Sequence, residues 1–337
     1  MRKILILSIL LLLFHVNLQA QNNKGGQFKI AFYNTENLFD TIDDPTKSDE
    51  DFLPNSKVAW NSARYDHKID NMARVLVAID SIDLPAVIGL AEVENMSVLN
   101  DLISKPGLRK GNYGVILEEG SDPRGIDVAL IYRKNVMQYI GHKAFPSATS
   151  FKTRNLLYVK LTDAKKDTFH IFINHWKSRS GGEQETEPQR LENASTLKHL
   201  TDSILAMNSH ANLIIMGDFN DEPNNKSLSE ILGAGKPEKQ SSFKGLYNLM
   251  FDRFLQGEGT LYYKDWDLFD QIIVSGNLLV KKRKGAFIPP PFAYIFKPEW
   301  ILFKNKKGEM IPNRTAGSKD YFGGFSDHLP VYAVVKY

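Results

Sequence analysis

The stretch Ile214-Ile215-Met216-Gly217-Asp218-Phe219-Asn220-Asp221 constrains the fold of this chain more than any other. An apolar run over 212–216 stops at Gly217 and gives way to an acid, an amide and a second acid. That is the pattern of a buried strand that ends in a tight turn and delivers polar side chains to the rim of a sheet. Asp218 and Asn220 are two apart, so an extended backbone sends both to one face. A carboxylate beside an amide offers hard oxygen donors, suited to Mg²⁺ and to the oxygens of a phosphate ester. Taken alone, such a triplet is more often a solvated turn built on Asp and Asn. Here the other strand ends of the chain repeat the arrangement.

In chain order, the pattern predicts a first strand over 28–33 that ends at Asn34-Thr35-Glu36-Asn37, then an acidic loop over 40–51. Ile69, Met72, Ala73, Leu76 and Ile79 recur at helical spacing, which predicts an amphipathic helix over 64–80. A short apolar strand over 86–91 ends in Glu92, and a helix over 97–103 stops before Pro106-Gly107. Strand pairs follow at 113–117 with 127–132 and at 155–161 with 168–174, the last ending in His175. A second helix covers 189–207, and a strand covers 268–275. The proline- and aromatic-rich segment 285–324 predicts irregular loops, and the chain closes with Ser326-Asp327-His328-Leu329-Pro330 and a strand over 331–336. No repeat or linker interrupts this order, so one domain over 28–337 is expected, preceded by a polar lead-in at 21–27.

The first twenty residues stand apart. Arg2 and Lys3 precede an apolar block over 4–14, and Ala20 follows at a cleavage-like position before Gln21. This is the pattern of a signal peptide over 1–20, and the block is shorter than the ~20 residues that span a bilayer. The expectation is a secreted or periplasmic monomer without a stable membrane anchor. With no cysteine in the chain, a disulfide framework, a thiol nucleophile and a Cys-based zinc site are excluded. Loss of Arg2 and Lys3 lowers the formal charge of +3 by two, to +1, so any basic patch must be local. The run Lys281-Lys282-Arg283-Lys284 is such a patch, although runs of this kind are most often a solvated face.

Asn34, Glu36, Glu92, His175, Asp218, Asn220, Asp270, Asp327 and His328 all fall at or beside predicted strand ends. In a layered α/β domain such ends converge on one rim. Acids gathered there need a cation, and an oxygen-rich set without cysteine points to Mg²⁺ or Mn²⁺.

The segments FYNTENLFD, GLAEVEN, RGIDVALIYR, NHWKSR, MGDFND, WDLFDQIIVS and FSDHLPV, in this order, resemble the endonuclease/exonuclease/phosphatase superfamily. The resemblance runs from about residue 28 to 337. It implies an α/β fold, a four-layer α/β sandwich of two mixed β-sheets packed face to face between helices. It also implies metal-dependent cleavage of a phosphate ester. By position, the resemblance makes Glu92 the principal metal ligand, with Glu36 and Asp327 beside it, and makes Asn34 a holder of phosphate or water. Asp218 and Asn220 match the pair that positions the attacking water and the phosphate. Asp270 matches the acid that orients His328, and His175 matches the second histidine of the nuclease and sphingomyelinase branches. The carboxylate partner of His175 is expected at Glu118 or Glu119.

The residue types suit that chemistry. His328, held in one tautomer by Asp270, is suited to serve as a base near neutral pH. Arg124, Arg154, Lys177, Arg179 and Arg190 can add positive charge at the phosphate, though Arg124 and Arg190 serve equally well as salt-bridge residues. Trp176, Trp266 and Trp300 are most economically packing residues. The expected activity is that of a phosphodiesterase, a nuclease acting on DNA or RNA. The alternatives are a sphingomyelinase-type or other small-molecule phosphoesterase, for which 287–296 is the candidate membrane-facing stretch, and a binding module that retains only the fold.

Overall fold

A computed structural model describes residues 26–337 except 149, 239–242, 244, 283 and 318. The proposed signal peptide at 1–20, residues 21–25 of the lead-in and Arg283 of the basic run lie outside the described residues. In chain order the strands are β1 (Gln27–Leu38), β2 (Val87–Val93), β3 (Tyr113–Leu117), β4 (Asp127–Arg133), β5 (Met137–Pro146), β6 (Asn155–Asp163), β7 (Thr168–His175) and β8 (Asn212–Asp218). They continue with β9 (Ala234–Gly235), β10 (Leu246–Asn248), β11 (Leu261–Tyr262), β12 (Trp266–Asp267), β13 (Asp270–Ser275), β14 (Tyr294–Ile295), β15 (Leu302–Lys304), β16 (Met310–Pro312) and β17 (Val331–Lys336). The helices are α1 (Ser62–Ile79), α2 (Met96–Ser104), α3 (Pro106–Arg109), α4 (Glu183–Met207) and α5 (Phe251–Leu255).

Two large sheets result, one of six strands in the order β14-β17-β1-β2-β4-β3 and one of seven in the order β5-β6-β7-β8-β13-β10-β9. Both are mixed, because β1 runs parallel to β2 and antiparallel to β17, while β8 runs parallel to β7 and antiparallel to β13. The central strands are buried on both faces, which is why they read as near-continuous apolar runs. Phe32, Leu130 and Val335 of the first sheet pack against Val159, Ile171 and Ile272 of the second. Ile69, Met72 and Leu76 of α1 cover the outer face of the first sheet, and Ala194 and Leu197 of α4 cover the second. The order helix, sheet, sheet, helix is the four-layer sandwich that the resemblance implies. The sheets approach closely at Gly89, where a Cβ would lie 2.7 Å from Ile173 Cδ1.

Several elements differ from the sequence pattern for physical reasons. Strand β5 was not predicted, since its side chains are mostly exposed and carry little apolar alternation. Helix α4 starts at Glu183, six residues earlier than its apolar spacing suggests. Its first turns are polar and contain Pro188; Thr186 hydrogen-bonds the Gly182 carbonyl, and Arg190 the Glu183 carbonyl. Strand β1 continues through Asn34 to Leu38, with a break in register against β2 between those two residues. Strand β8 runs through Gly217 to Asp218, and Gly217 is required there because a Cβ would meet the Asn174 carbonyl oxygen at 2.5 Å. Among its described residues, the segment 285–324 carries only short strands and one short helical turn, close to the irregular path expected.

Candidate active site at the seam of the two sheets

Two adjacent strands break their regular pairing at the site. β1 shifts register between Asn34 and Leu38, and β2 shifts against β4 between Ala91 and Val93. Within these bulges Glu36, Asn37 and Glu92 adopt left-handed backbone, with φ of 49°, 53° and 61°. Asn220 adds a fourth at 50°, out of eight non-glycine residues with positive φ among those described. Each such residue costs on the order of 1 kcal/mol or more and persists only where its surroundings enforce it. Here they do: the Asn37 amide donates to Glu92 Oε2 at 2.8 Å, and Thr35 Oγ1 donates to the Ala91 carbonyl at 2.8 Å. Glu92 is thereby aimed at the seam.

Across that seam, Asn34 Nδ2 of β1 donates to Asp218 Oδ2 of β8 at 3.0 Å and approaches Glu92 Oε1 at 3.4 Å. Asp218 and Asn220 do not share a strand face as expected. The strand ends at Asp218, whose Oδ1 accepts the Asn220 amide at 2.9 Å in a tight turn, and Asn220 Nδ2 donates to the Trp176 carbonyl. His175, the last residue of β7, sits beside Asp218, with Nε2 3.6 Å from Asp218 Oδ2 and 3.8 Å from Glu92 Oε1. Its Nδ1 has no hydrogen-bond partner among the described residues. Burial, then Arg154 and Arg124, hold the His175 imidazole well below its ordinary range, so it is neutral near pH 7.

Asp270 opens β13 in register with Asp218 and is fully buried. A carboxylate in such a place is tolerated only when paired. His328 Nδ1 lies 2.7 Å from Asp270 Oδ2, which leaves Nε2 facing Asp218 at 3.8 Å and Asp327 at 3.9 Å. Burial opposes the charge on His328, but Asp270 and then Asp218 and Asp327 outweigh it and raise its imidazole well above the ordinary range. The two histidines are therefore set apart by their surroundings, His328 charged and His175 neutral. Burial also pushes the Asp218 carboxyl up, with His328 opposing.

On the other side of Asn34, Glu36 accepts the Thr315 amide at 2.6 Å and Arg314 Nε at 3.1 Å. Arg314 also reaches Asp327 at 3.3 Å, so one guanidinium bridges both acids. Lys68 lies fully buried in α1 and donates to Thr315 Oγ1 and to the Phe325 carbonyl. Burial and then Asp327 push Glu36 up, and burial pushes Lys68 down. Sequence reasoning missed Arg314 and Lys68. Lys68 carried a usable signal, since it lies four residues before Met72 on the inward stripe of α1.

Crowded acids whose carboxyl values rise through burial and mutual repulsion form a site short of positive charge. Their oxygen donors fit a hard divalent cation. Among the described residues, Asp218, Asp270 and His328 also offer ligand atoms within 4.8 Å of one another. Two of those three spend their nearest atoms on each other in the 2.7 Å pair.

The basic residues divide. Arg190 is not brought to the site: it is buried in α4, ion-paired to Asp221 at 2.7 Å and bonded to Thr186 and Glu183. Arg179 is committed to the turn after β8 through the Asn220 carbonyl, Asp221 and Asn225. Arg154 is buried against Asp122 at 3.0 Å and donates to the Trp176 carbonyl. Arg124 stays half exposed, with Nε 3.4 Å from Asp122, and Lys177 is half-buried at the end of β7. Among the described residues His175 meets only the acids Glu92 and Asp218, not Glu118 or Glu119, and Glu118 bonds His142 at 2.8 Å instead.

Sandwich and site together define a protein of the phosphoesterase fold. The model of the endonuclease/exonuclease/phosphatase family matches residues 29–337, and the chain belongs to that family, whose members are divalent-metal-dependent phosphoester hydrolases. No curated protein matches the chain. Among solved structures, it is similar to a mannosyl-6-phosphatase of Bacteroides thetaiotaomicron, at 15% identity over 92% of this chain and 100% of that one, with a TM-score of 0.56. It is similar to TDP2 of D. rerio complexed with a single-strand DNA product, at 16% identity over 92% and 99%, with a TM-score of 0.56. The human Nocturnin catalytic domain with a bound sulfate anion gives 16%, 92%, 94% and 0.54. At these identities the likeness is one of fold.

A raised imidazole value means that the charge on His328 stabilises the fold. That contribution is fully present below the ordinary imidazole range and is lost as pH rises through the folded value. In chelator, nitrogen NMR should find His328 doubly protonated at pH 7 and His175 neutral. In Asp270→Asn the His328 titration should fall towards the ordinary value. A neutral His328 at pH 6 in the wild type would contradict the pairing.

Proposed function

We propose that the chain is an exported, Mg²⁺- or Mn²⁺-dependent phosphodiesterase that hydrolyses DNA or RNA. The observation that carries this reading is the Asp270–His328 pair, whose free Nε2 lies between Asp218 and Asp327 at a rim shared with Asn34, Glu92 and His175. Glu92 and Asp327, with Glu36 behind them, would hold the ion. When bound, the ion withdraws charge from the phosphate oxygens. Asp218, fixed by Asn34 and the Asn220 amide, is the acceptor that orients a water. Asn34 and Asn220 steady the phosphate.

The surroundings of His328 argue against its expected role as resting base. With Nδ1 bonded to an acid and Nε2 between two more, it is a hydrogen-bond donor to a phosphate or leaving-group oxygen. His175, held neutral, retains a nitrogen that can accept. Roles of this kind are worth about 10²–10⁴-fold in rate each.

The lipid alternative has less support. Phe287 and Ala293 are buried and β14 pairs with β17, so Pro290 and Pro291 are the exposed residues of 287–296. A mannosyl-6-phosphatase and a DNA-bound TDP2 are equally similar in fold, so substrate class is decided by assay.

The mature protein with Mg²⁺ should cleave plasmid DNA or RNA, and bis(4-nitrophenyl) phosphate more slowly, and leave sphingomyelin and mannose 6-phosphate intact. Activity confined to the lipid or the monoester would overturn the nuclease reading. Glu92→Gln keeps the size of the side chain and removes its charge. Calorimetry should show weakened Mg²⁺ binding in a protein folded by circular dichroism, and unchanged affinity would remove Glu92 from the ligand set.

For export, N-terminal sequencing of the native protein should begin at or near Gln21. An intact Met1 in the cytoplasmic fraction would refute cleavage.

A further inference from the structure

The acidic loop after β1 borders a cavity of about 310 Å³ that none of Glu36, Glu92, Asp218 and Asp327 lines, so it is separate from the seam. Seven acids line this cavity against two basic residues, which leaves it strongly negative. Asp40, Asp44 and Asp49 come from the loop, and Glu94 from just beyond β2. Asp49 is only 2% exposed; its Oδ2 accepts the Asp44 amide at 3.0 Å, and its Oδ1 has no hydrogen-bond partner among the described residues. Glu94 Oε2 accepts the Asp40 amide at 2.7 Å, which leaves Oε1 for another partner. We propose that this cavity is a structural Ca²⁺ site, held by Asp49 Oδ1 and Glu94 Oε1, that fastens the 40–51 loop to the end of β2. The proposal does not depend on the phosphoesterase reading.

A buried carboxylate oxygen without a hydrogen bond is costly unless a cation meets it. The basic residues of the cavity do not do so. Lys47 forms no ion pair among the described residues, and Arg124 Nε reaches Asp122 at 3.4 Å instead. Burial pushes the Asp127 carboxyl on the same cavity up to about 7, even with Lys47 opposing. The loop is already folded around the oxygens that stay free: Asp40 accepts the Ile42 amide and Asn95 Nδ2, and Asp44 Oδ1 accepts the Thr46 amide. No three of these acids bring ligand oxygens within 4.8 Å of one another among the described residues, so two carboxylates hold the ion, and carbonyl oxygens and water complete its shell. Ca²⁺ accepts such an irregular shell of about six to eight oxygens. Asp49 Oδ1 is shut off from solvent, so the ion must shed water to reach it, which Mg²⁺ does reluctantly.

The test is calorimetric titration of the chelator-stripped mature protein with Ca²⁺ in excess Mg²⁺, which competes at the seam, together with melting curves with and without Ca²⁺. The wild type should bind one Ca²⁺ and melt several degrees higher with it, because a ligand of the folded state stabilises that state by mass action. Asp49→Asn should weaken Ca²⁺ binding at least roughly tenfold and lose the rise in melting temperature. In chelator it should melt no lower than the wild type, since it removes a buried, unpaired charge; a merely structural Asp49 would lower that melting temperature and leave Ca²⁺ affinity unchanged. Glu92→Gln should keep the Ca²⁺ binding. Absence of Ca²⁺ binding by the wild type, unchanged affinity in Asp49→Asn, or loss of binding in Glu92→Gln would overturn the site. Should Asp49→Asn fail to fold, Glu94→Gln, which keeps an acceptor for the Asp40 amide, takes its place with the same expected loss. Failure of the hydrolysis assays would sink the phosphoesterase reading and leave this binding readable.

Discussion

The buried pair between Asp270 and His328 is the interaction on which the site depends. Asp270 belongs to β13 in the second sheet, and His328 leads into β17 in the first, so their 2.7 Å contact ties the two sheets together at one end. The Asn34–Asp218 hydrogen bond crosses the same seam. Around the pair, Thr260 Oγ1 accepts the Asp270 amide, the Thr260 carbonyl accepts the Leu329 amide, and Leu261 bridges to His328. Removing one partner of a fully buried ion pair typically costs about 3–5 kcal/mol, because the other is left unpaired in a poor solvent for charge. This contact therefore links the two sheets at the site, orients the imidazole and, with Asp218 and Asp327, holds the charge on His328.

The remaining geometry is bought with backbone strain and balanced charge. Bulges in β1 and β2 place Glu36, Asn37 and Glu92 in left-handed backbone side by side. The acids they present would repel one another without compensation. Arg314 bridges Glu36 and Asp327, and Lys68 holds the backbone and side chain of the same loop from inside α1. On the opposite flank, burial and then Arg154 and Arg124 keep His175 neutral. A rim with one charged and one neutral histidine can donate from one side and accept from the other.

Much of this was legible in the sequence because buried central strands and a 3.6-residue helix period leave strong local signals. The strands at 113–117 and 331–336 have the bounds that their alternation predicts, and α1 and α2 lie within a residue or two of theirs. Polar residues that end apolar runs, such as Glu92, His175 and Asp218, were legible for the same reason. What escaped depends on long-range contacts. Strand β5 pairs with β6 along an exposed surface and has no apolar face to announce it. Arg190 looks like any basic helix residue until Asp221 is seen beside it. Arg314 is remote in sequence from Glu36 and sits in a segment without periodicity. The partner expected for His175 at Glu118 or Glu119 failed because that loop turns Glu118 towards His142 instead.

The central claim is that Asp270 and His328 act as one unit, and a double-mutant cycle tests it most directly. His328→Gln and Asp270→Asn, alone and combined, are to be assayed on a diester substrate, with circular dichroism confirming the fold of each. His328→Gln should lower the rate by at least roughly a hundredfold, the usual scale for a lost proton donor or acceptor. Asp270→Asn should cost less, and the double variant should be little worse than His328→Gln alone, because residues that act together are not additive. If the two losses multiply instead, Asp270 serves the fold or another group separately, and the account of a single coupled pair is wrong.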